Sequence, residues 1–222
     1  MVDKKIVSEV FPFWENLSDV EKEHILANAQ HRQYKAGDII HDGQHECTGV
    51  LGVIRGRLRS FLLSDTGKEI TLFRLIEDDT CMLSASCMIK NISFDVHVSA
   101  ELDTELILIP TAIYSQLAKE NQAVEGFMNS IVTQRFSEAM WVFEQLLFMK
   151  TDQRLAAFLL DQSSLDDSDT ITLTHEQIAA HMGTAREVVS RTLKYLAGEG
   201  WISVSRKGIQ ILDSKALMEL TE

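Results

Sequence analysis

The 222-residue chain reads as an α+β protein in three parts: an N-terminal β-barrel or jelly roll, one long helix, and a C-terminal winged helix-turn-helix. Three observations predict this. Between residues 31 and 110, glycines punctuate short β-rich runs. From 121 to 149 apolar residues recur at spacings of three and four, with no glycine or proline after Gly126. Over 172–212, TLTHEQIAAHMGTAREVVSRTLKYLAGEGWISVSRKGIQIL, two capped helical patterns meet at a glycine and a short hairpin follows. The expected domains are 1–120, 121–149 and 150–222.

Ser18 and Glu21 make a capping box, so a helix is predicted over 18–29, with Val20, His24, Ile25 and Ala29 on one face. Gly37, Gly43, Gly49, Gly52, Gly56 and Gly67 separate the runs GVLGVI, RLRSFLL, EITLFRLI, FDVHVSA and ELILIP. Short strands with glycine turns suggest a small barrel or jelly roll. A short helix is predicted over 111–119, then the long one. Its stripe is Met128, Val132, Phe136, Met140, Phe143 and Leu147, widened by Phe127, Ile131, Ala139 and Leu146. A helix of about 28 residues spans roughly 42 Å. That exceeds what a small β domain covers, so part of the stripe is expected to meet a second copy of the chain. The alternative is a helix packed only within its own chain. Residues 151–163, TDQRLAAFLLDQS, predict another helix, followed by an acidic loop, SSLDDSDT.

The C-terminal pattern is the most specific. Thr174 and Gln177 form a capping box, which starts a helix at His175. Ile178, Ala179 and Met182 share its inner face, and Gly183 ends it, since glycine tolerates the left-handed conformation. Thr184 and Glu187 form a second box, predicting a helix from Ala185 with Val188, Val189, Leu193 and Leu196 inward. Gly198 and Gly200 terminate it. A hairpin follows: Trp201 to Ser205, a turn at Arg206-Lys207-Gly208, then Ile209 to Leu212. In a helix-turn-helix the second helix enters the major groove of DNA with its N-terminal residues at the base edges.

Its outward face suits that task. Arginine can donate two hydrogen bonds to guanine, and glutamate can accept one from cytosine N4. Arg186, Glu187, Ser190 and Arg191 are the expected base readers. Thr174, His175, Thr184, Lys194, Arg206 and Lys207 are candidate phosphate contacts. Each has a plainer reading: Glu187 and Thr174 as caps, Arg186 and Arg191 as solvated charges, Arg206 and Lys207 as an ordinary turn.

Composition sets bounds. Hydrophobic residues make up 45% and charged residues 24%, ordinary for a globular chain. No run approaches the roughly 18 apolar residues needed to cross a bilayer. The N-terminus, MVDKKIVSEVFPFW, does not resemble a signal peptide. No membrane association is expected, and a cytoplasmic location follows. The net charge of −12 is unevenly spread. Residues 171–222 hold six basic and six acidic residues, while residues 1–170 hold 15 and 27. The acidic bulk would repel DNA except at the C-terminal face, favouring one docking orientation. The three cysteines, Cys47, Cys81 and Cys87, show no metal-ligand spacing and no disulfide framework.

The order of β domain, long helix and winged helix-turn-helix resembles the CRP/FNR family of bacterial transcription regulators. The resemblance covers nearly the whole chain and is strongest over LTHEQIAAHMGTAREVVSRTLKYLAGEGWI. The stretch from Tyr34 to Asp38, YKAGD, and the Arg55-Gly56-Arg57 turn match more loosely. The resemblance implies a cyclic-nucleotide-binding-like sensory domain, a homodimer, and a pseudo-palindromic double-stranded operator. RNA polymerase is an expected partner. Glu187, Ser190 and Arg191 resemble the FNR branch, whose half-site resembles TTGAT, while Arg186 is more like the CRP branch.

The sensory half departs from both branches. Where the family's cyclic-nucleotide pocket has a glutamate, this chain has Leu83 or Ser84; where it has Arg-Ser, this chain has Phe94-Asp95. An aspartate would repel a phosphate, so cyclic AMP is not expected. Residues 1–46 hold no cysteine, so an N-terminal iron–sulfur cluster is not expected either. The effector and any cofactor stay unidentified. Cys81, Cys87 and His97 are candidates for effector or redox sensing; the alternatives are a buried small hydrophobe and a structural histidine. Two other functions are weighed. One is a constitutive DNA-binding regulator with a ligand-free β domain. The other is a cupin-like metalloenzyme using His31, His41, His45 and His97, which their spacing does not favour. No catalytic or metal-binding set is predicted, and the chain is not expected to be an enzyme.

Overall fold

The computed structural model describes residues 2–42, 49–82 and 96–221. His45, Cys47, Leu83, Ser84, Cys87, Phe94 and Asp95 lie outside the described residues. The chain divides into two compact units: residues 1–63 with 72–139, and residues 64–71 with 140–222.

In the first unit, α1 (Lys4–Val10) is capped by Asp3, which accepts the Lys5 N–H. A 3-10 turn (Pro12–Asn16) follows. Helix α2 (Asp19–Asn28) starts on the expected Ser18–Glu21 capping box, with both reciprocal bonds present. The strands are β1 (Gln30–Tyr34), β2 (Ile39–His41), β3 (Val50–Arg55), β4 (Leu58–Leu63), β5 (Glu69–Leu75), β6 (Thr80–Cys81), β7 (His97–Ala100) and β8 (Thr104–Ile109). They form two four-stranded sheets, ordered β1-β8-β3-β6 and β2-β7-β4-β5. Among the described residues the expected barrel or jelly roll takes the form of two antiparallel sheets, with no closed barrel.

One core lies between the sheets: Leu51, Val53 and Leu106 from the first, Leu58, Phe73, Leu75, Val98 and Ala100 from the second. A second core covers the other face of the first sheet. There Val50, Ile107 and Ile109 meet Phe11, Phe13, Trp14, Ile25, Tyr114 and Leu117. Burial on both faces explains why GVLGVI and ELILI read as continuous apolar runs. Gly52 is required by this packing. A Cβ there would lie 2.1 Å from Val10 Cγ1 and 2.8 Å from Phe11 Cζ.

Helix α3 (Thr111–Glu120) leads into α4 (Gln122–Phe148), both close to their predicted bounds. Tyr114 anchors the start of α4 by donating its hydroxyl to the Val124 carbonyl at 3.2 Å. Arg135 of α4 is 4% exposed. Its guanidinium lies 4.8 Å from the Phe73 ring, pairs with Glu138 at 2.8 Å, and donates to the Thr80 carbonyl at 3.3 Å. Asp79 completes its surroundings at 3.5 Å.

In the second unit, α5 (Thr151–Asp166) runs one turn beyond its predicted end. Nothing in QSSLD breaks a helix. The stop is Asp167, which adopts a left-handed φ of 46° without being glycine. Strand β9 (Thr170–Ile171), α6 (His175–Met182), α7 (Arg186–Gly198), β10 (Ile202–Ser205), β11 (Gly208–Ile211) and α8 (Ser214–Thr221) follow. The wing is a three-stranded sheet ordered β10-β11-β9. Its core joins Leu155 and Leu159 of α5, Ile178 and Met182 of α6, Val189, Leu193 and Leu196 of α7, and Ile209, Ile211 and Leu217. Burying about 1.5–3 kcal/mol per large apolar side chain is what orients the two helices.

Candidate nucleic-acid interface

Two helices and the turn between them present the interface. Helix α6 is capped as predicted: the Thr174 hydroxyl accepts the Gln177 N–H, and the Gln177 side chain accepts the Thr174 N–H at 2.8 Å. Gly183 closes α6 with φ +64°. Arg154 of α5 locks the turn from behind by donating to the Met182 carbonyl, and burial lowers its pKa from the usual arginine value.

The start of α7 corrects the sequence expectation. The helix begins at Arg186, with Ala185 as N-cap and no side-chain cap bond. Thr184 falls one residue too early, and its N–H is taken by the Ala179 carbonyl at 3.0 Å. The Thr184–Glu187 box therefore does not form. The Glu187 carboxylate is exposed, and no hydrogen bond or ion pair holds it among the described residues. Of the predicted inward residues, Val189, Leu193 and Leu196 are buried and Val188 is half-buried. Thr192 is buried beside them, its hydroxyl donated back to the Val188 carbonyl at 2.9 Å.

Arg186, Glu187, Arg191 and Lys194 are all exposed on α7, and Ser190 is half-buried between them. Glu176 of α6 stands 4.0 Å from the Arg186 guanidinium, with both side chains open to solvent. His175, also on α6, places Nδ1 2.8 Å from the Ser190 hydroxyl. Arg206 and Lys207 are exposed at the wing tip. Thr174, His175, Arg186, Arg206 and Lys207 share one open groove of about 600 Å³. Three cations against one carboxylate, Glu176, give that groove a positive balance suited to a phosphate. Thr184 is half-buried in the turn.

Along α4, Phe136 (66% exposed), Met140, Phe143 and Leu147 are open to solvent, while Met128 and Val132 are half-buried. Met128 packs on the core under the first sheet. Trp141 and Phe148, which fall outside the predicted stripe, are exposed as well, Phe148 at 78%. Cys81 is fully buried between the sheets. His97 lies on the opposite side of its strand from the core-facing Val98, with its ring stacked on Phe61 at 5.3 Å. Cys81 and His97 are therefore not brought together, and Cys87 lies outside the described residues. His31 pairs with Glu105 at 2.5 Å and His41 is buried. Among the described residues no three His, Cys, Asp or Glu side chains are grouped to hold a metal ion, so the geometry gives the metalloenzyme alternative no support. No helix among them is long and apolar enough to cross a membrane.

Comparison with known proteins agrees with this geometry. Residues 153–220 match the Crp-like helix-turn-helix domain. The transcriptional regulator flp of Lacticaseibacillus casei is 27% identical over 212 residues, covering 93% of this chain and 94% of its own length. The cyclic AMP receptor protein of Thermus thermophilus is 25% identical over 209 residues, covering 94% and 96%. A solved structure from Eubacterium rectale, described as a transcriptional regulator of the CRP/FNR family, is 43% identical with a TM-score of 0.92; the match covers 96% of this chain and 98% of that one. With a helix-turn-helix built on the same plan and an identity of this size over the full length, the chain belongs to the CRP/FNR family of transcription regulators.

Proposed function

We propose that this transcription regulator works as a homodimer whose two α7 helices read a pseudo-palindromic operator. The observation that carries the reading is the edge of exposed Arg186, Glu187 and Arg191, with half-buried Ser190 between them, beside a cationic groove. Arg186, Glu187, Ser190 and Arg191 are the base readers. Thr174, His175, Thr184, Lys194, Arg206 and Lys207 hold the phosphates, with Thr184 acting from the turn. The half-site is expected to carry an inner GA step. Two half-sites one helical turn apart require a partner at fixed distance. Phe136, Met140, Phe143 and Leu147 supply the seam, continued by Val132 and Met128, because such a row of exposed apolar residues is costly in water.

The division of labour is 1–120 for sensing, 121–149 for pairing and 150–222 for DNA. The β domain takes an effector other than cyclic AMP, since Leu83 or Ser84 and Phe94-Asp95 stand where a cyclic-nucleotide pocket needs acid and Arg-Ser. Effector binding shifts the population between two arrangements along α4, which requires different affinities for the two. The protein acts in the cytoplasm, engages RNA polymerase and has no catalytic role.

Selection of binding sites from random duplexes tests the reading. The expected result is a two-fold-related site. Arg191→Ala should then weaken specific binding by about 1–3 kcal/mol, roughly fivefold to 150-fold. A non-palindromic site, or an Arg191→Ala variant that binds like wild type, would overturn it.

A further inference from the structure

Ser190 and His175 make an unusual pair for a DNA-reading edge. A serine inside a helix commonly donates its hydroxyl to the carbonyl four residues back. Thr192, two residues on, does so, with Val188 as acceptor. Ser190 does not. Its hydroxyl meets the imidazole Nδ1 of His175, fifteen residues earlier and on the other helix, at 2.8 Å. His175 is the first residue of α6, fixed there by the Thr174 capping box. Its ring lines the groove with Arg186, Arg206 and Lys207, and among the described residues no side chain holds its Nε2.

We infer that His175 is a positioning residue that sets the hydrogen-bonding polarity of Ser190, so that a phosphate contact in the groove decides which base edge the serine reads. This rests on the reading of Ser190 as a base contact. A neutral imidazole carries one proton, and the bond made by one nitrogen dictates the state of the other. A DNA phosphate in the cationic groove accepts from Nε2–H. In the neutral ring Nδ1 then holds only a lone pair and accepts, so the Ser190 O–H points to it. The serine is left with its oxygen lone pairs facing the duplex. It becomes an acceptor, complementary to the exocyclic amino group of adenine or cytosine in the major groove. Without the imidazole, the hydroxyl is free to rotate, donate or accept, and loses that preference. Backbone contact and base choice are thereby coupled through one ring.

The test uses the full-length protein and the operator recovered by selection. Each half-site adenine is replaced in turn by purine, which lacks the 6-amino group, and each cytosine by 2-pyrimidinone, which lacks the 4-amino group. The readout is the ratio of affinities for the unmodified and modified duplexes, which does not depend on the fraction of active protein. Wild type should lose about fivefold at one position, the size of one neutral hydrogen bond. Ser190→Ala should bring that ratio to one. His175→Phe, which keeps a ring but no nitrogen, should lower the ratio toward one, since the freed hydroxyl no longer favours accepting. His175→Asn, whose amide oxygen can accept near the original Nδ1 position, should restore it. If Ser190→Ala leaves every ratio as in wild type, Ser190 does not read a base, and both ideas fall. If Ser190→Ala abolishes the fivefold ratio and His175→Phe preserves it, the base reading stands and the role of His175 is refuted.

Discussion

Gly208 opens the second strand of the wing at φ +133°, a region closed to other residues. A Cβ built there would stand 2.4 Å from the Ile171 carbonyl oxygen and 3.2 Å from its carbon. Both are backbone atoms of β9, paired to β11 through Ile171 and Ile209, so neither can swing aside. Gly200 supplies the control. Its φ is +79°, but a Cβ there meets nothing within 4 Å. Gly200→Ala should therefore cost only the left-handed penalty, about 1–2 kcal/mol. Gly208→Ala adds a forced separation of β9 from β11, and about 3–4 kcal/mol follows from backbone strain plus overpacking. At about 4–8 °C per kcal/mol for a unit of this size, the C-terminal melting transition should fall by roughly 12 °C or more in Gly208→Ala and by clearly less in Gly200→Ala. Calorimetry of both variants, with operator affinity measured well below the melt, checks this. Equal shifts in the two variants would refute the reasoning, because the collision with Ile171 would then carry no energy.

Three further outcomes are expected. The double variant Phe136→Glu, Phe143→Glu should sediment as a monomer at concentrations where wild type is dimeric, since each aromatic ring returned to water forfeits about 1.5–3 kcal/mol and the new charges would repel; operator binding should fall with it. Replacing Arg206 and Lys207 by alanine should lower affinity similarly on all sequences and flatten the salt dependence by about one unit for each phosphate no longer neutralised, read from binding between low and moderate salt. Glu21 is held below the ordinary carboxyl value of 4.5 first by the Ser18 hydroxyl, then by the Ser18 N–H and the Asn121 amide. A lowered folded pKa gives stability that is present above the unfolded value and disappears as pH falls through the folded one. Glu21→Gln should accordingly flatten the stability profile of the first unit below about pH 4.5, as followed by acid titration of its unfolding midpoint.

The helix-turn-helix is legible in the sequence because its signals are local. Thr174, Gln177 and Gly183 lie within ten residues and dictate one capped helix and its exit. The start of α7 is not, because Thr184 and Glu187 have the spacing of a box while tertiary geometry assigns the Thr184 N–H to Ala179. β1 carries no apolar alternation, since QHRQY is mostly exposed and gains its strand character from pairing with β8 seventy residues later. β9, two residues long, exists only through β11. The His175–Ser190 contact joins two helices whose crossing is set by buried Ile178, Val189 and Leu193, and no spacing rule on the chain would find it.

The buried guanidinium of Arg135 has a mechanical consequence for α4. Drawing α4 away at this point would strip the charge of the Thr80 carbonyl, of Asp79 and of the Phe73 ring, while Glu138, on the same helix, would travel with it. A buried ion that loses part of its partners is expensive. The rod is thus pinned at Arg135, and any sideways travel there must begin by breaking those bonds.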